Sequence, residues 1–353
     1  MVPSMIDLSL PIHEDMLHGG RRPSRETRAD GGTRWLLSAH AGTHVEAPLH
    51  TAPGGAPIET LALDLLVGPA RVLDLTGVET EITPDDLFAA GLADDPRVLL
   101  RTANSTGVLR ERDKAEAWIG LAPDAAQLLV DRGVRLLGVD YLTVESPARE
   151  ATFDAHYVLN RAGVAMIESV DLSGVEAGIV DLVCLPLPLA GAEAAPARVV
   201  LAPIGDGPLV DLTAAIGEDV AERIVVESFE NGNACNVTRW WLGERTGTHV
   251  AAPETIEALA LDALNGPVVV LDADDLDAAQ PGARVLVRGA VDADALAALD
   301  AALVGVEGPA PALAIPTLGG LALDGVAPGA YLLTALPIPL RGAAAAPARV
   351  FLS

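Results

Sequence analysis

Three histidines and one carboxylate fall within eleven residues near the start of the chain. The residues of this run that could bind a metal are His40, His44, Glu46 and His50. Neutral imidazole and carboxylate are the ligands that hold Zn²⁺ or Mn²⁺ in proteins. Gly42 permits a tight turn and Pro48 prevents a helix from including the run, so an irregular or extended segment is expected. If the segment is extended, the four side chains share one face and point into one pocket.

Taken singly, each of these histidines is more easily explained as a buried, hydrogen-bonded residue than as a ligand. The chain has only seven histidines, however, and three of them lie in this run. The cluster therefore favours a metal site. The remaining ligands must come from elsewhere in the chain, and His156 and Glu168 are the candidates. Glu168 follows the apolar run 164–167, where the end of a buried strand would place its carboxylate at the edge of a pocket.

Short β-rich runs alternate with helical patterns in the first half of the chain. Thr83 and Pro84 form a helix start, with Thr83 as the cap and proline in the first turn. The predicted strands are 6–10, 71–75, 97–101, 136–139 and 164–167, and the predicted helices begin at 84, 123 and 157. This alternation predicts an α/β domain with a mixed sheet.

An internal repeat determines the expected architecture. The sequence Gly-Thr-His-Val at 42–45 returns 205 positions later at 247–250, and Ala-Pro-Ala-Arg-Val at 195–199 returns 151 positions later at 346–350. The second copy is therefore shorter than the first between its matching ends. The turn-forming run 205–208 separates the copies. We predict a first domain at 1–204 and a second, shortened domain at 205–353.

Composition excludes several classes of partner. The net charge is −26 and the isoelectric point about 4.4, which argues against nucleic acid and anionic membrane surfaces. No apolar stretch is long enough to span a bilayer, and the N-terminal residues do not resemble a signal peptide. Cys184 and Cys235 are too few for a disulfide framework, so a cytoplasmic location is the simplest expectation.

The pattern His-x-Gly-Thr-His-x-acid-x-Pro-x-His at 40–50, followed by His156 and then Glu168, resembles the cyclase family that includes kynurenine formamidases. Isatin hydrolases and some polyketide cyclases are similar to this family. The Leu-Pro-Leu-Pro-Leu run at 185–189 and the Pro-Ala-Arg run at 196–198 match as well. The resemblance covers residues 5–203 and, in degraded form, 209–353. It implies tandem swivelling β/α domains and a metal-dependent hydrolase acting on amide or lactone bonds.

The resemblance also implies a role for each site residue. His40, His44 and Glu46 would bind one Zn²⁺ or Mn²⁺ ion, with Glu46 able to bridge to a second. His156 and Glu168 would serve that second ion, and His50 would be the proton donor and acceptor. Two positions depart from the family pattern. Glu46 stands where the family usually has aspartate, which leaves one ion or two open, and His18 replaces an aromatic residue that lines the substrate pocket.

The second copy lacks most of these residues. Arg245, Ala251 and Thr255 replace His40, Glu46 and His50, and Gly319 replaces Glu168, so only His249 remains. We therefore predict a catalytically inactive second domain that takes the place of a partner subunit in an intrachain pseudo-dimer. Trp240, Trp241 and Arg245 are candidates for the edge of the first domain's pocket. Further homo-oligomerisation is left open.

Three functions remain open from the sequence. The first is a hydrolase for a small amide or lactone, such as an aryl formamide or a cyclic amide. The second is a polyketide-type cyclase or other tailoring enzyme that uses the same site, and the third is a non-catalytic metal-binding scaffold. No Gly-x-Ser-x-Gly motif suggests a serine nucleophile, and no glycine-rich phosphate loop suggests a nucleotide.

Overall fold

The computed structural model describes residues 5–16, 21–111 and 114–353. In the first half of the chain the strands are β1 (Ile6–Asp7), β2 (Ser24–Thr27), β3 (Thr33–Ser38), β4 (His44–Glu46), β5 (Val67–Asp74), β6 (Glu81–Ile82), β7 (Arg97–Arg101), β8 (Gly120–Leu121), β9 (Leu136–Val139), β10 (Ala165–Glu168), β11 (Gly178–Pro186) and β12 (Ala194–Leu201). The helices there are α1 (Leu63–Leu66), α2 (Pro84–Ala89), α3 (Pro123–Asp131) and α4 (Asp154–Arg161).

The second half repeats this plan with fewer helices. Its strands are β13 (Val210–Asp211), β14 (Glu222–Glu227), β15 (Val237–Gly243), β16 (His249–Ala251), β17 (Asn265–Asp272), β18 (Ala283–Arg288), β19 (Ala301–Val306), β20 (Thr317–Gly319), β21 (Gly329–Pro337) and β22 (Ala345–Leu352). Its helices are α5 (Leu261–Leu264) and α6 (Ala293–Ala297).

Each half closes into a barrel with mixed strand directions. In the first, the strand order is β12-β11-β5-β7-β9-β10-β4, and β4 pairs with β12 to close the ring. In the second, the order is β22-β21-β17-β18-β19-β20-β16, and β16 pairs with β22. The two rings correspond strand for strand, so the chain is a tandem duplication of one α/β barrel. The predicted fold class is confirmed.

A four-stranded sheet joins the two barrels with the symmetry of a dimer. Its order is β14-β15-β3-β2, so two strands come from each half. Leu36 pairs with Trp241, which lies 205 positions later at the equivalent place in the repeat. Equivalent residues that pair with each other mark a local two-fold axis, as in the self-complementary interface of a homodimer.

Reciprocal contacts extend this symmetry beyond the sheet. Ile12 bridges to Leu340 of the second barrel, and Ile216 bridges to Leu189 of the first. A single cluster of buried apolar side chains runs through both barrels. The shared core makes the two halves one packed unit, because separating them would expose apolar surface to water.

Most local predictions agree with the structure. Helix α2 begins at Pro84, and the Thr83 side chain and the Asp86 side chain cap it reciprocally. Strand β9 has the predicted bounds, whereas the strand predicted at 6–10 is only Ile6–Asp7. The helix predicted from 157 begins at Asp154 instead, so His156 lies inside its first turn. Among the described residues, no helix is both long and apolar enough to cross a bilayer.

Candidate metal centre

Two neighbouring strands of the first barrel carry three of the candidate ligands. In the antiparallel pair of β4 and β10, His44 lies directly opposite Glu168. Their side chains meet, with His44 Nε2 3.5 Å from Glu168 Oε2. Glu46 is two residues from His44, so it points from the same face of β4. All three residues are buried.

A tight turn brings His40 back to this face. Gly42 adopts a positive φ of 65°, and a Cβ atom there would lie 2.8 Å from Ile12 Cγ1, so glycine is required. The Gly42 carbonyl accepts a hydrogen bond from His44 Nδ1 at 2.9 Å, which leaves Nε2 free to act as a ligand. His40 Nδ1 lies 3.3 Å from this Nε2 atom. One possibility from the sequence is a run that is extended throughout. The turn at Gly42 shows that the run is not, but the side chains of His40, His44 and Glu46 still meet in one place.

The Glu46 carboxylate lies at the centre of four imidazoles. Its Oε1 atom is 2.8 Å from His40 Nδ1, 3.5 Å from His50 Nε2 and 3.7 Å from His44 Nε2. Its Oε2 atom is 3.3 Å from His156 Nε2. His40 and His156, distant along the chain, therefore face opposite oxygens of one carboxylate.

His156 is oriented by a carboxylate that the sequence did not single out. Glu145 Oε1 accepts hydrogen bonds from the backbone N–H and from Nδ1 of His156, both at 2.8 Å. With Nδ1 engaged, Nε2 faces Glu46 and lies 3.7 Å from Glu168 Oε1. Such a histidine–carboxylate pair fixes the tautomer of a ligand and raises its basicity. Glu168 is held in turn by the Val144 N–H at 2.7 Å.

Glu193 is a second carboxylate beside the cluster that the sequence did not single out. Its Oε1 atom lies 3.5 Å from His40 Nε2, and its side chain is fully buried. It is the only charged residue in 182–197, an otherwise apolar run. A single acid in a long apolar run is a signal that could have identified it, because isolated buried charges require a partner.

Two histidines of the cluster carry strongly raised pKa values. Burial disfavours the charged form of His40, but contact with Glu193 and Glu46 outweighs burial and raises its pKa to about 10. For His156, burial is likewise outweighed by Glu46 and Glu145, and the pKa rises to about 10. The surrounding carboxylates thus stabilise positive charge in this pocket, which is the electrostatic condition that a divalent cation requires.

His50 differs from the other histidines. It lies in the short 3₁₀ turn Pro48–His50, and its Nδ1 donates to the backbone carbonyl of Asn236 in the second barrel at 2.9 Å. Burial lowers its pKa to about 4, because attraction by Glu46 is countered by repulsion from His40 and His156. At neutral pH the ring is therefore uncharged, with a lone pair on Nε2.

The cluster fits a divalent cation on two observations. Two groups of side chains each bring their ligand atoms within 4.8 Å of one another: His40, Glu46 and His50, and His44, Glu46 and Glu168. In addition, the buried atoms His40 Nε2 and Glu46 Oε2 have a charged neighbour at 3.5 Å and 3.3 Å, respectively, but neither contact has hydrogen-bond geometry. Unpaired buried polar atoms are costly unless a ligand satisfies them. These residues could therefore hold a metal ion.

A cavity of about 350 Å³ opens onto this cluster. Phe153 and Leu142 of the first barrel form apolar parts of its wall, and Glu227, Cys235 and Val237 reach it from the second barrel. Arg21 and Lys114 also line it. His18, the predicted substrate contact, lies outside the described residues.

The residues expected at the pocket edge lie elsewhere. Trp240 is completely buried. The guanidinium carbon of Arg34 lies 4.2 Å from the centre of the Trp241 ring. Arg245 donates to the Ala310 carbonyl inside the second barrel. None of the three lines the cavity: Trp240 and Trp241 are neighbours on β15 and point to its two faces, and Arg245 lies beyond the end of that strand.

The second barrel retains the frame of the site without its ligands. His249 Nδ1 donates to the Gly247 carbonyl at 2.9 Å, as His44 does to Gly42. Gly319 lies opposite His249, and a Cβ atom there would come within 2.6 Å of the His249 Cε1 atom. The imidazole thus fills the space that a glutamate would need. Within the described second barrel, His249 belongs to no group of three candidate ligands.

Comparison with known proteins finds relatives that are similar to about half of this chain. Residues 6–146 match the family model described as "Putative cyclase". The chain is 38% identical over 165 residues to a kynurenine formamidase of Salinibacter ruber. This match covers 47% of this chain and 76% of the relative. These matches cover about half of the chain.

Two solved structures share the fold of this half. One, described as a potential metal-dependent hydrolase with cyclase activity, is 38% identical with a TM-score of 0.51, covering 56% of this chain and 96% of that chain. The other, described as a predicted metal-dependent hydrolase from Bacillus stearothermophilus, is 38% identical with a TM-score of 0.50, covering 56% of this chain and 97% of that chain.

Proposed function

This chain belongs to the cyclase family of metal-dependent hydrolases, and on that premise we propose that its first barrel hydrolyses the C–N bond of a small amide. An aryl formamide or a cyclic amide is the favoured substrate class, since the Salinibacter ruber relative is a kynurenine formamidase. The observation that carries the proposal is the buried Glu46 carboxylate, which four imidazoles surround while its Oε2 atom makes no well-aligned hydrogen bond.

The proposed metal ligands are His40, His44, Glu46, His156 and Glu168. Their nitrogen and oxygen atoms suit Zn²⁺ or Mn²⁺, as one ion or two. When bound, such a cation polarises the scissile carbonyl and lowers the pKa of water toward 7. Glu145 and Glu193 hold His156 and His40 in the orientation that this set requires.

His50 is the proposed general base and acid. Its Nδ1–H is engaged by the Asn236 carbonyl, so Nε2 is the atom available to the cavity. Being neutral at pH 7, Nε2 accepts a proton from the attacking water and then donates it to the leaving nitrogen. His50 is also close enough to Glu46 to share a cation with it, but the other five residues already supply a complete set of ligands, so we propose proton transfer as its role.

The cavity suits a small organic substrate. Its volume of about 350 Å³ lies in the lower range of ligand pockets. Phe153, with its ring centre 5.3 Å from that of His156, offers an aromatic face beside the proposed centre. We retain His18 as a proposed substrate contact. Because both cysteines are free, we also propose that the protein works in a reducing cytoplasm.

A cyclisation reaction is the second candidate. The observation that favours it is the solved relative described as having cyclase activity. The same acid–base residue and cation would serve either reaction, so the substrate distinguishes them.

The test is a panel of N-formylkynurenine, isatin and small lactones, assayed with wild type and with His50→Ala. We expect hydrolysis of an amide by wild type and a loss of about 10²- to 10⁴-fold in kcat for His50→Ala with metal content unchanged. The matched control is His249→Ala, which alters the equivalent strand of the second barrel and should leave kcat unchanged. Equal rates for His50→Ala and wild type would refute the assignment of His50.

A further inference from the structure

One short segment of the second half of the chain contacts the proposed site through both backbone and side-chain hydrogen bonds. Asn236 holds the end of the histidine run by three hydrogen bonds. Its backbone N–H donates to the His50 carbonyl at 2.9 Å, its Nδ2 donates to the Leu49 carbonyl at 2.8 Å, and its carbonyl accepts from His50 Nδ1 at 2.9 Å. The Asn236 side chain is itself anchored, because Oδ1 accepts from the Phe229 N–H at 3.2 Å.

Thr238, two residues further along, reaches the other side of the cluster. Its backbone N–H donates to Glu193 Oε1 at 2.6 Å, and its hydroxyl donates to Glu193 Oε2 at 2.9 Å. Glu193 faces His40 Nε2, so Thr238 acts on His40 through this carboxylate. The segment 236–238 therefore connects to both His50 and His40.

These side-chain bonds break the symmetry of the duplication. The backbone frame is symmetric, since Ala39 N–H donates to the Thr238 carbonyl at 2.9 Å and, at the equivalent place, Glu244 N–H donates to the Thr33 carbonyl at 3.1 Å. The side chains are not symmetric. Gly31 stands at the position equivalent to Asn236, and Ala344 at the position equivalent to Glu193. At these two positions, therefore, polar side chains contact the cluster of the first barrel and have no counterpart at the equivalent place in the second barrel.

We propose that Asn236 and Thr238 are positioning residues, through which the inactive barrel fixes the tautomer and orientation of His50 and the orientation of His40. The proposal rests on the assignment of His50 as the proton-transfer residue. The carbonyl of Asn236 holds the proton on Nδ1 of His50 and so directs the Nε2 lone pair toward the cavity. The second copy, though without ligands of its own, completes the first site.

The direct test is the tautomer of His50 in the full-length protein labelled with ¹⁵N-histidine. The His50 signals are identified by their loss in His50→Ala. In wild type we expect a single Nδ1–H tautomer. Asn236→Ala keeps the backbone carbonyl but removes the side-chain bonds to Leu49 and Phe229 that hold it in place. In this variant we expect a mixture of the two tautomers and a fall in kcat of about 10- to 100-fold with KM unchanged.

Asn233→Ala is the matched control, because Asn233 lies in the same loop and its Oδ1 accepts only from the Ser228 N–H among the bonds described. It should leave both tautomer and kcat unchanged. A single Nδ1–H tautomer and wild-type kcat in folded Asn236→Ala would overturn the proposal. The tautomer is read without substrate, so an absence of amidase activity in wild type would refute the proposed function and leave this test intact.

A second pair of variants covers the case in which Asn236→Ala does not fold. Thr238→Val keeps the shape of the side chain but removes the hydroxyl that donates to Glu193. We expect it to weaken Zn²⁺ binding about 10-fold, as for other partners of metal ligands, and Thr238→Ser to restore it. Equal Zn²⁺ affinity in Thr238→Val and wild type would contradict the role of Thr238.

Discussion

Replacement of Glu145 tests whether His156 is a metal ligand without touching any proposed ligand. Glu145 is completely buried, and one of its oxygens accepts both the backbone N–H and Nδ1 of His156. In Glu145→Gln an amide oxygen can still accept these bonds, but the negative charge that raises the basicity of the ring is lost. In Glu145→Ala both bonds are lost as well, and the ring is free to turn.

The expected magnitudes follow from these contacts. Loss of the partner of a ligating histidine typically weakens metal affinity about 10- to 100-fold, or roughly 1.4 to 2.7 kcal/mol. We expect Glu145→Gln near the lower value and Glu145→Ala near the upper one. The alanine variant also leaves the His156 N–H without an acceptor, so its free energy of unfolding should fall by about 1–3 kcal/mol.

The assay is competition for Zn²⁺ with a chromophoric chelator, with thermal unfolding measured alongside. Glu81→Gln is the control, because Glu81 contacts Ser146 and Arg149 in the same region but no proposed ligand. It should change Zn²⁺ affinity by less than about 2-fold. If Glu145→Ala bound Zn²⁺ as tightly as wild type, His156 would not be a ligand and the reasoning would be refuted.

Three further outcomes are expected. Gly42→Ala should lower the free energy of unfolding by about 1–3 kcal/mol and weaken metal binding, because the residue has a positive φ and its Cβ would meet Ile12. Gly247→Ala in the second barrel should lower the free energy of unfolding without affecting metal binding. Equal metal affinity in the two variants would contradict the role of Gly42. Thorough chelation with EDTA should abolish hydrolysis and Zn²⁺ or Mn²⁺ should restore it, whereas full activity after chelation would exclude a metal mechanism. Residues 1–204 expressed alone should aggregate or lose most activity, as measured by gel filtration and turnover, since the shared core would be exposed; a soluble and fully active monomer would contradict the intrachain pseudo-dimer.

The convergence of the cluster was accessible from the sequence because its signals are local. Three histidines with Gly42 between them indicate a turn of ligand-type residues, and the apolar run before Glu168 indicates a strand that ends in a carboxylate. The repeat likewise required only an aligned pair of motifs. Each of these signals is contained in one short stretch of sequence or in a comparison of two such stretches.

Glu145 and Glu193 escaped detection because their roles depend on tertiary contacts. Neither lies near the histidine run in sequence, and apart from the apolar run around Glu193 only their burial in the structure distinguishes them from surface acids. The error over Trp240, Trp241 and Arg245 has a related cause. The repeat indicated that Trp240 and Trp241 lie close to the first barrel, but only the register of β15 on β3 determines which side chains of that strand face the cavity. Arg245 follows the strand and bonds to Ala310 instead.

Anomalous diffraction from crystals grown with Mn²⁺ or Zn²⁺ tests most directly whether the first barrel holds a catalytic metal. We expect the strongest peak among His40, His44, Glu46, His156 and Glu168, at bonding distances of about 2.0–2.2 Å. The site around His249 should show none. A cluster without a peak at saturating metal, or a strongest peak beside His249, would contradict the assignment of the first barrel as the metal-dependent hydrolase.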